Sequence, residues 1–125
     1  MMRYAKWSEV PARVWPCKFF KPNEIACKGT GSILIHVEAL MALDQLRIAL
    51  DAPIYLSSAY RSPYHNSVVG GAPLSSHLAG HAYDVQLRGA DKAKLRAAAE
   101  SAGFKGFGMR YRTFMHIDMG RKREW

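Results

Sequence analysis

Cysteine is scarce: Cys17 and Cys27 are the only two in 125 residues, and no Cys-x-x-Cys is present. Two thiols cannot build a disulfide framework. Reduced, partly buried thiols are expected, with a Cys17–Cys27 bridge or a second metal site as the alternatives. No apolar run of about eighteen residues occurs, so no integral membrane span is expected. The opening Met1-Met2-Arg3-Tyr4-Ala5-Lys6-Trp7-Ser8-Glu9 lacks the apolar stretch and cleavage site of a secretory leader. Synthesis in the cytosol is expected. Internal repeats and low-complexity tracts are absent as well. Acidic residues are the minority, 10 against 18 Lys and Arg, which gives a net charge of +8. A basic surface favours polyanionic partners without choosing among them. The basic residues are scattered rather than striped along one helix, which speaks against a nucleic-acid binder.

Apolar residues make up 49% of the chain, enough for a core without staples. The length fits one domain over residues 1–125. Residues 1–16 read as an irregular arm, and Pro22-Asn23-Glu24 as a turn or helix start. Ile33 to Leu50 carries apolar residues near the helical period, with Ser32 as N-cap and Val37, Leu40, Met41, Leu43 and Leu46 on the inward face. His36 then sits within that helix. Ile54–Ser58 reads as a strand. A long polar, glycine-rich connection through Arg61, Asn66, Gly70 and Gly71 follows, and such loops are often functional. Ala82–Leu87 reads as a strand, Asp91–Ala102 as a helix stopped by Gly103, and Arg112–Met119 as a final strand. Phe104–Met109 reads as a strand or hairpin arm. Gly120 to Trp125 reads as a basic tail.

The densest stretch is Ser75-Ser76-His77-Leu78-Ala79-Gly80-His81-Ala82-Tyr83-Asp84. Imidazole and carboxylate are both good zinc ligands. Six residues, Gly80 among them, separate His77 from Asp84, which suits a loop running into a strand rather than one turn of helix. Such pairs also arise by chance. Phe114-Met115-His116-Ile117-Asp118 supplies a third candidate. On a strand His116 and Asp118 share a face, with Met115 and Ile117 on the other. One zinc on His77, Asp84 and His116, with a fourth position open, is the expectation. Asp118 is then either a proton acceptor or a partner that orients His116, and a surface ion pair with Arg110, Arg112 or Arg121 is its plain alternative.

Ser58-Ala59-Tyr60-Arg61-Ser62-Pro63, Asn66, Gly70-Gly71-Ala72, the string from Ser75 through His77, Gly80 and Ala82 to Asp84, and His116-x-Asp118 together resemble the D-Ala-D-Ala metallopeptidases. That group includes zinc carboxypeptidases, dipeptidases and phage endolysins, and shares a fold with the hedgehog signalling domain. The resemblance spans about residues 18–120. It implies a single α+β domain with a small, mainly antiparallel sheet and flanking helices. It implies zinc ligands at His77, Asp84 and His116, substrate binding and oxyanion stabilisation by Arg61, and a substrate contact from Ser75. Better-known members place an acid or histidine two or three residues before the last zinc histidine. Here those positions are Phe114 and Thr113, so Asp118 is the candidate base. His81 falls at a variable position and is expected in the cleft or in solvent. Trp125, Tyr60, Tyr64 and Tyr111 are candidates for a substrate rim or for core. The expected activity is hydrolysis of peptidoglycan stem peptides by a monomeric, phage-type endolysin released to the wall by a holin. A D-Ala-D-Ala carboxypeptidase or dipeptidase and a non-catalytic zinc-binding module are the alternatives.

Overall fold

A computed structural model describes residues 1–125. The chain forms β1 (Met2–Tyr4), α1 (Pro22–Ile25), β2 (Ile33–Ile35), α2 (Val37–Leu50), β3 (Leu56–Ser58), α3 (Pro63–Val68), β4 (Ala82–Gln86), α4 (Lys92–Ala102), β5 (Gly106–Gly108), β6 (Phe114–Asp118) and β7 (Arg123–Glu124). β1 and β2 form a small antiparallel pair; the main sheet runs β3-β4-β6-β5-β7 and is antiparallel except where β7 lies parallel to β5. This is a small α+β fold with mostly antiparallel sheets.

The long helix expected from Ile33 begins instead at Val37. Ile33-Leu34-Ile35 pairs with Met2–Tyr4, so the supposedly irregular arm supplies a strand. A short apolar run cannot be assigned to helix or strand by periodicity alone. His36, not Ser32, is the N-cap: its Nδ1 accepts from the Ala39 N–H at 3.2 Å. Val37 and Met41 consequently lie on the exposed face of α2, while Ala39, Leu40, Leu43 and Leu46 enter the core. The buried Asp44 carboxylate accepts from the Lys18 and Phe19 N–H groups and ties the preceding arm to α2.

α4 starts one residue after the expected Asp91, which caps it instead by accepting from the Ala93 and Lys94 N–H groups, and it ends at Gly103 with φ +113°. α2 and α4 pack on each other and on one face of the sheet. Alternation along the strands does the rest. Tyr83, Val85, Met115 and Ile117 point into that core, and Asp84, His116 and Asp118 emerge on the opposite face. Cys17 and Cys27 are free thiols, in keeping with expectation. Gly120–Trp125 is not a loose tail, because Arg123 and Glu124 pair with Gly106 and Phe107.

Candidate metal centre

The antiparallel register sets the site. Asp84 lies directly across from His116, and Ala82 across from Asp118. On the other side of β6, Gly108 faces His116 and Gly106 faces Asp118. His77 arrives from a 3-10 turn, Ser76–Ala79, that Ser75 caps by accepting the His77 N–H at 3.3 Å. Gly80 ends that turn at φ +79°, a left-handed conformation that glycine adopts without strain, and returns the chain to β4.

Three donors converge. Asp84 Oδ1 lies 3.3 Å from His77 Nε2 and 3.1 Å from His116 Nδ1. Bonds of about 2.0–2.2 Å to a tetrahedral zinc separate donors by roughly 3.3–3.6 Å, so little adjustment would seat the ion. The far nitrogen of each imidazole is committed. His77 Nδ1–H donates to the Ala59 carbonyl at 2.7 Å, which leaves Nε2 with its lone pair toward Asp84. His116 Nε2 is 2.7 Å from Asp118 Oδ2, which leaves Nδ1 toward Asp84. Such partners fix ring orientation and raise ligand basicity. All three donors are buried and could hold a metal ion.

The charges support one another. Burial opposes charge on Asp84, but hydrogen bonds from His116 and His77 outweigh it and hold the carboxyl down near 2. Asp118 is likewise held near 2, burial being outweighed by His116, the Gly120 N–H and Arg123. Burial also opposes charge on His116, yet its bonds to Asp118 and Asp84 raise its pKa.

Asp118 stands at His116 Nε2, on the other side of the ring from Asp84. It is fully buried behind the His116 ring. Oδ1 accepts the Gly120 N–H at 2.9 Å, and Oδ2 also meets Ser76 Oγ at 3.4 Å and Arg123 Nη2 at 3.5 Å. Its cationic neighbour is therefore Arg123, not Arg110, Arg112 or Arg121. A Cβ on Gly106 would stand 2.3 Å from Asp118 Oδ1, so that glycine makes room for the carboxylate. Gly106→Ala is expected to destabilise the fold by about 1–3 kcal/mol through overpacking, read from chemical denaturation.

Arg61 lines the cleft beside the donors, as do Ser75 and Ser76. Its Nη1 donates to Asn66 Oδ1 at 3.0 Å and Nη2 to Ser58 Oγ at 3.4 Å, while Asn66 Nδ2 anchors to the Ala72 carbonyl. No carboxylate pairs with this guanidinium, so its charge is available to an anion. Ser62 caps α3 by accepting the His65 N–H, which folds the long connection into a support for Arg61.

His81 does not join the donors. It packs edge-on against His36 with centroids 5.6 Å apart. His65 stands against Gly29, away from the cleft, and Glu24 is occupied in capping α1. Of the aromatic candidates, Tyr111 and Trp125 line the cleft together with Phe114. Tyr60 is core beside Cys27 and Leu34, and Tyr64 is exposed. Ser76 and Arg123 escaped sequence reading: Ser76 reaches Asp118 from a distant turn, and Arg123 reaches it only because the chain after Gly120 folds back along β5.

A two-histidine, one-aspartate centre built from two strands and a turn, with an unpaired arginine beside it, has the donor set of a hydrolytic zinc site. The peptidase M15 family model matches residues 18–118, and the chain belongs to that family of zinc D-Ala-D-Ala metallopeptidases. Membership makes it a zinc metallopeptidase directed at peptidoglycan-type substrates. No curated protein matches the chain. No helix is long and apolar enough to cross a membrane.

Proposed function

We propose that this chain is a peptidoglycan endopeptidase of the phage endolysin type, with one zinc held by His77 Nε2, Asp84 and His116 Nδ1. The convergence of those three donors carries the reading. Zinc bound there supplies Lewis acidity, which acidifies water and polarises an amide carbonyl. The protein's own groups do the rest. Arg61 presents an unpaired guanidinium that can take the negative charge developing on the carbonyl oxygen, or a substrate carboxylate, by charge-assisted hydrogen bonds. Ser75, whose oxygen accepts from the His77 N–H, keeps its own O–H to donate to the substrate backbone. Arg61 and Arg123 both line the cleft, a charge balance that suits stem peptides bearing free carboxylates.

Asp118 takes the orienting role. Its carboxylate accepts from His116 Nε2 and presents Nδ1 to the metal. Asp118→Asn is expected to weaken zinc binding about 10–100-fold, with activity restored by excess zinc. Loss of turnover at unchanged zinc affinity would instead return Asp118 to the role of base.

Digestion of purified muropeptides, with products identified by mass spectrometry, tests the activity. Cleavage within the stem, abolished by a chelator and restored by zinc, is the expected result. Release of terminal D-Ala alone would make the enzyme a carboxypeptidase. Zinc-loaded protein that cuts nothing would make it a binding module.

A further inference from the structure

Arg123 and Trp125 lie beyond the family match, yet both line the cleft of the metal centre. Pairing along β5 delivers them: the Arg123 N–H donates to the Lys105 carbonyl, the Trp125 N–H donates to the Phe107 carbonyl, and the Trp125 carbonyl accepts from the Met109 N–H. This places the Trp125 indole on the His116 imidazole, with ring centroids 5.1 Å apart and planes tilted by 48°. The indole is itself fixed. Nε1–H donates to the Tyr111 hydroxyl at 3.0 Å, and Tyr111 stacks on Phe114 at 4.4 Å and 14°. The Arg123 guanidinium covers the indole at 4.3 Å while its Nη2 touches Asp118.

We propose that Trp125 is a positioning residue of the metal centre, holding the His116 imidazole in its ligand orientation. Resting on the metal-centre reading above, the argument is one of degrees of freedom. Asp118 and Asp84 pin His116 in the plane of its ring, one at each nitrogen. Hydrogen bonds of this kind resist tilting out of the plane only weakly. Ring contacts supply that resistance, His77 edge-on at 5.2 Å and Trp125 at 5.1 Å. Gly108 makes the arrangement possible: a Cβ there would lie 2.9 Å from His116 Cβ and 3.0 Å from Trp125 Cζ2. A side chain at residue 108 would therefore crowd Tyr111, at 2.8 Å, as well as His116 and Trp125. Aromatic contacts of this kind contribute beyond the area they bury.

The test compares wild type, Trp125→Ala and Trp125→Phe in zinc affinity by chelator competition, in melting of the metal-free protein, and in quenching of tryptophan emission by cobalt. Trp125→Ala is expected to bind zinc about 10–100-fold more weakly, the scale seen when a ligand loses its outer partner. Trp125→Phe is expected to bind close to wild type, because a ring still covers the imidazole. Cobalt is expected to quench wild-type emission strongly and the remaining indoles of Trp125→Phe, Trp7 and Trp15, far less. Folded Trp125→Ala with wild-type zinc affinity overturns the proposal. If Trp125→Ala does not fold, Trp125→Leu decides, since it keeps apolar bulk without a ring: weaker zinc binding supports the role and unchanged binding rejects it. Wild-type protein that takes up no zinc overturns the metal centre itself, a different result from equal binding by wild type and variant.

Discussion

His77→Ala is expected to reduce zinc content from one per chain to near zero and peptidase activity to background. The side chain is buried, and its Nδ1–H is committed to the Ala59 carbonyl, so Nε2 meets the ion pre-aligned and little ordering entropy is lost on binding. Removing it leaves Asp84 and His116 with a void, and two donors do not make a zinc site. His81→Ala is the control, because His81 faces His36 instead of the donors; it should keep its zinc. Metal analysis of protein purified without chelator reads both. Zinc affinity should also fall as pH falls, since His116 must shed a proton to bind. The Asp118 and Asp84 bonds raise the pKa of His116 in the metal-free protein, so proton competition extends above the ordinary histidine range. An affinity independent of pH through that range would argue against His116 as a ligand.

Arg61→Ala is expected to keep zinc and lose turnover by about two to three orders of magnitude, the scale of removing one oxyanion donor. Arg61 touches none of the three metal-donor side chains through its guanidinium, which is held by Asn66 and Ser58. Its backbone does contact the His77 turn, where the Arg61 N–H donates to the His77 carbonyl, and alanine preserves that bond. Zinc content and kcat should therefore separate. Arg61→Lys should recover little, because a single ammonium cannot reproduce the forked guanidinium. Near-normal turnover in Arg61→Ala would reduce Arg61 to a support for the loop.

The three candidate donors were legible as residues of metal-binding type, and the family resemblance, more than their spacing, singled them out as a set; the structure brings them together. Six residues from His77 to Asp84 could hold a turn and a strand start, and His116 and Asp118 had to share a strand face. The same alternation correctly sent Met115 and Ile117 to the core. α4 was legible through Asp91 and Gly103, caps that act within one turn. Where local signals were ambiguous, tertiary pairing decided. Ile33-Leu34-Ile35 could have opened the helix, but Met2–Tyr4 provides backbone partners that make it a strand.

The position of Asp118 had the same kind of origin. Strand geometry allowed both the base and the orienting role, and only the pairing of β6 with β5 shows the carboxylate enclosed against Gly106 behind the imidazole. Sequence by itself determined which side chains have metal-binding chemistry and which face of a strand they share, because those properties follow from residue type and a two-residue period. Tertiary structure alone decided which imidazole nitrogen faces Asp84, which carboxylate stands behind it, and that Arg123 and Trp125 close the cleft. Those depend on how β6 is paired with β4 and β5 and how β7 is laid along β5, and no local propensity encodes them.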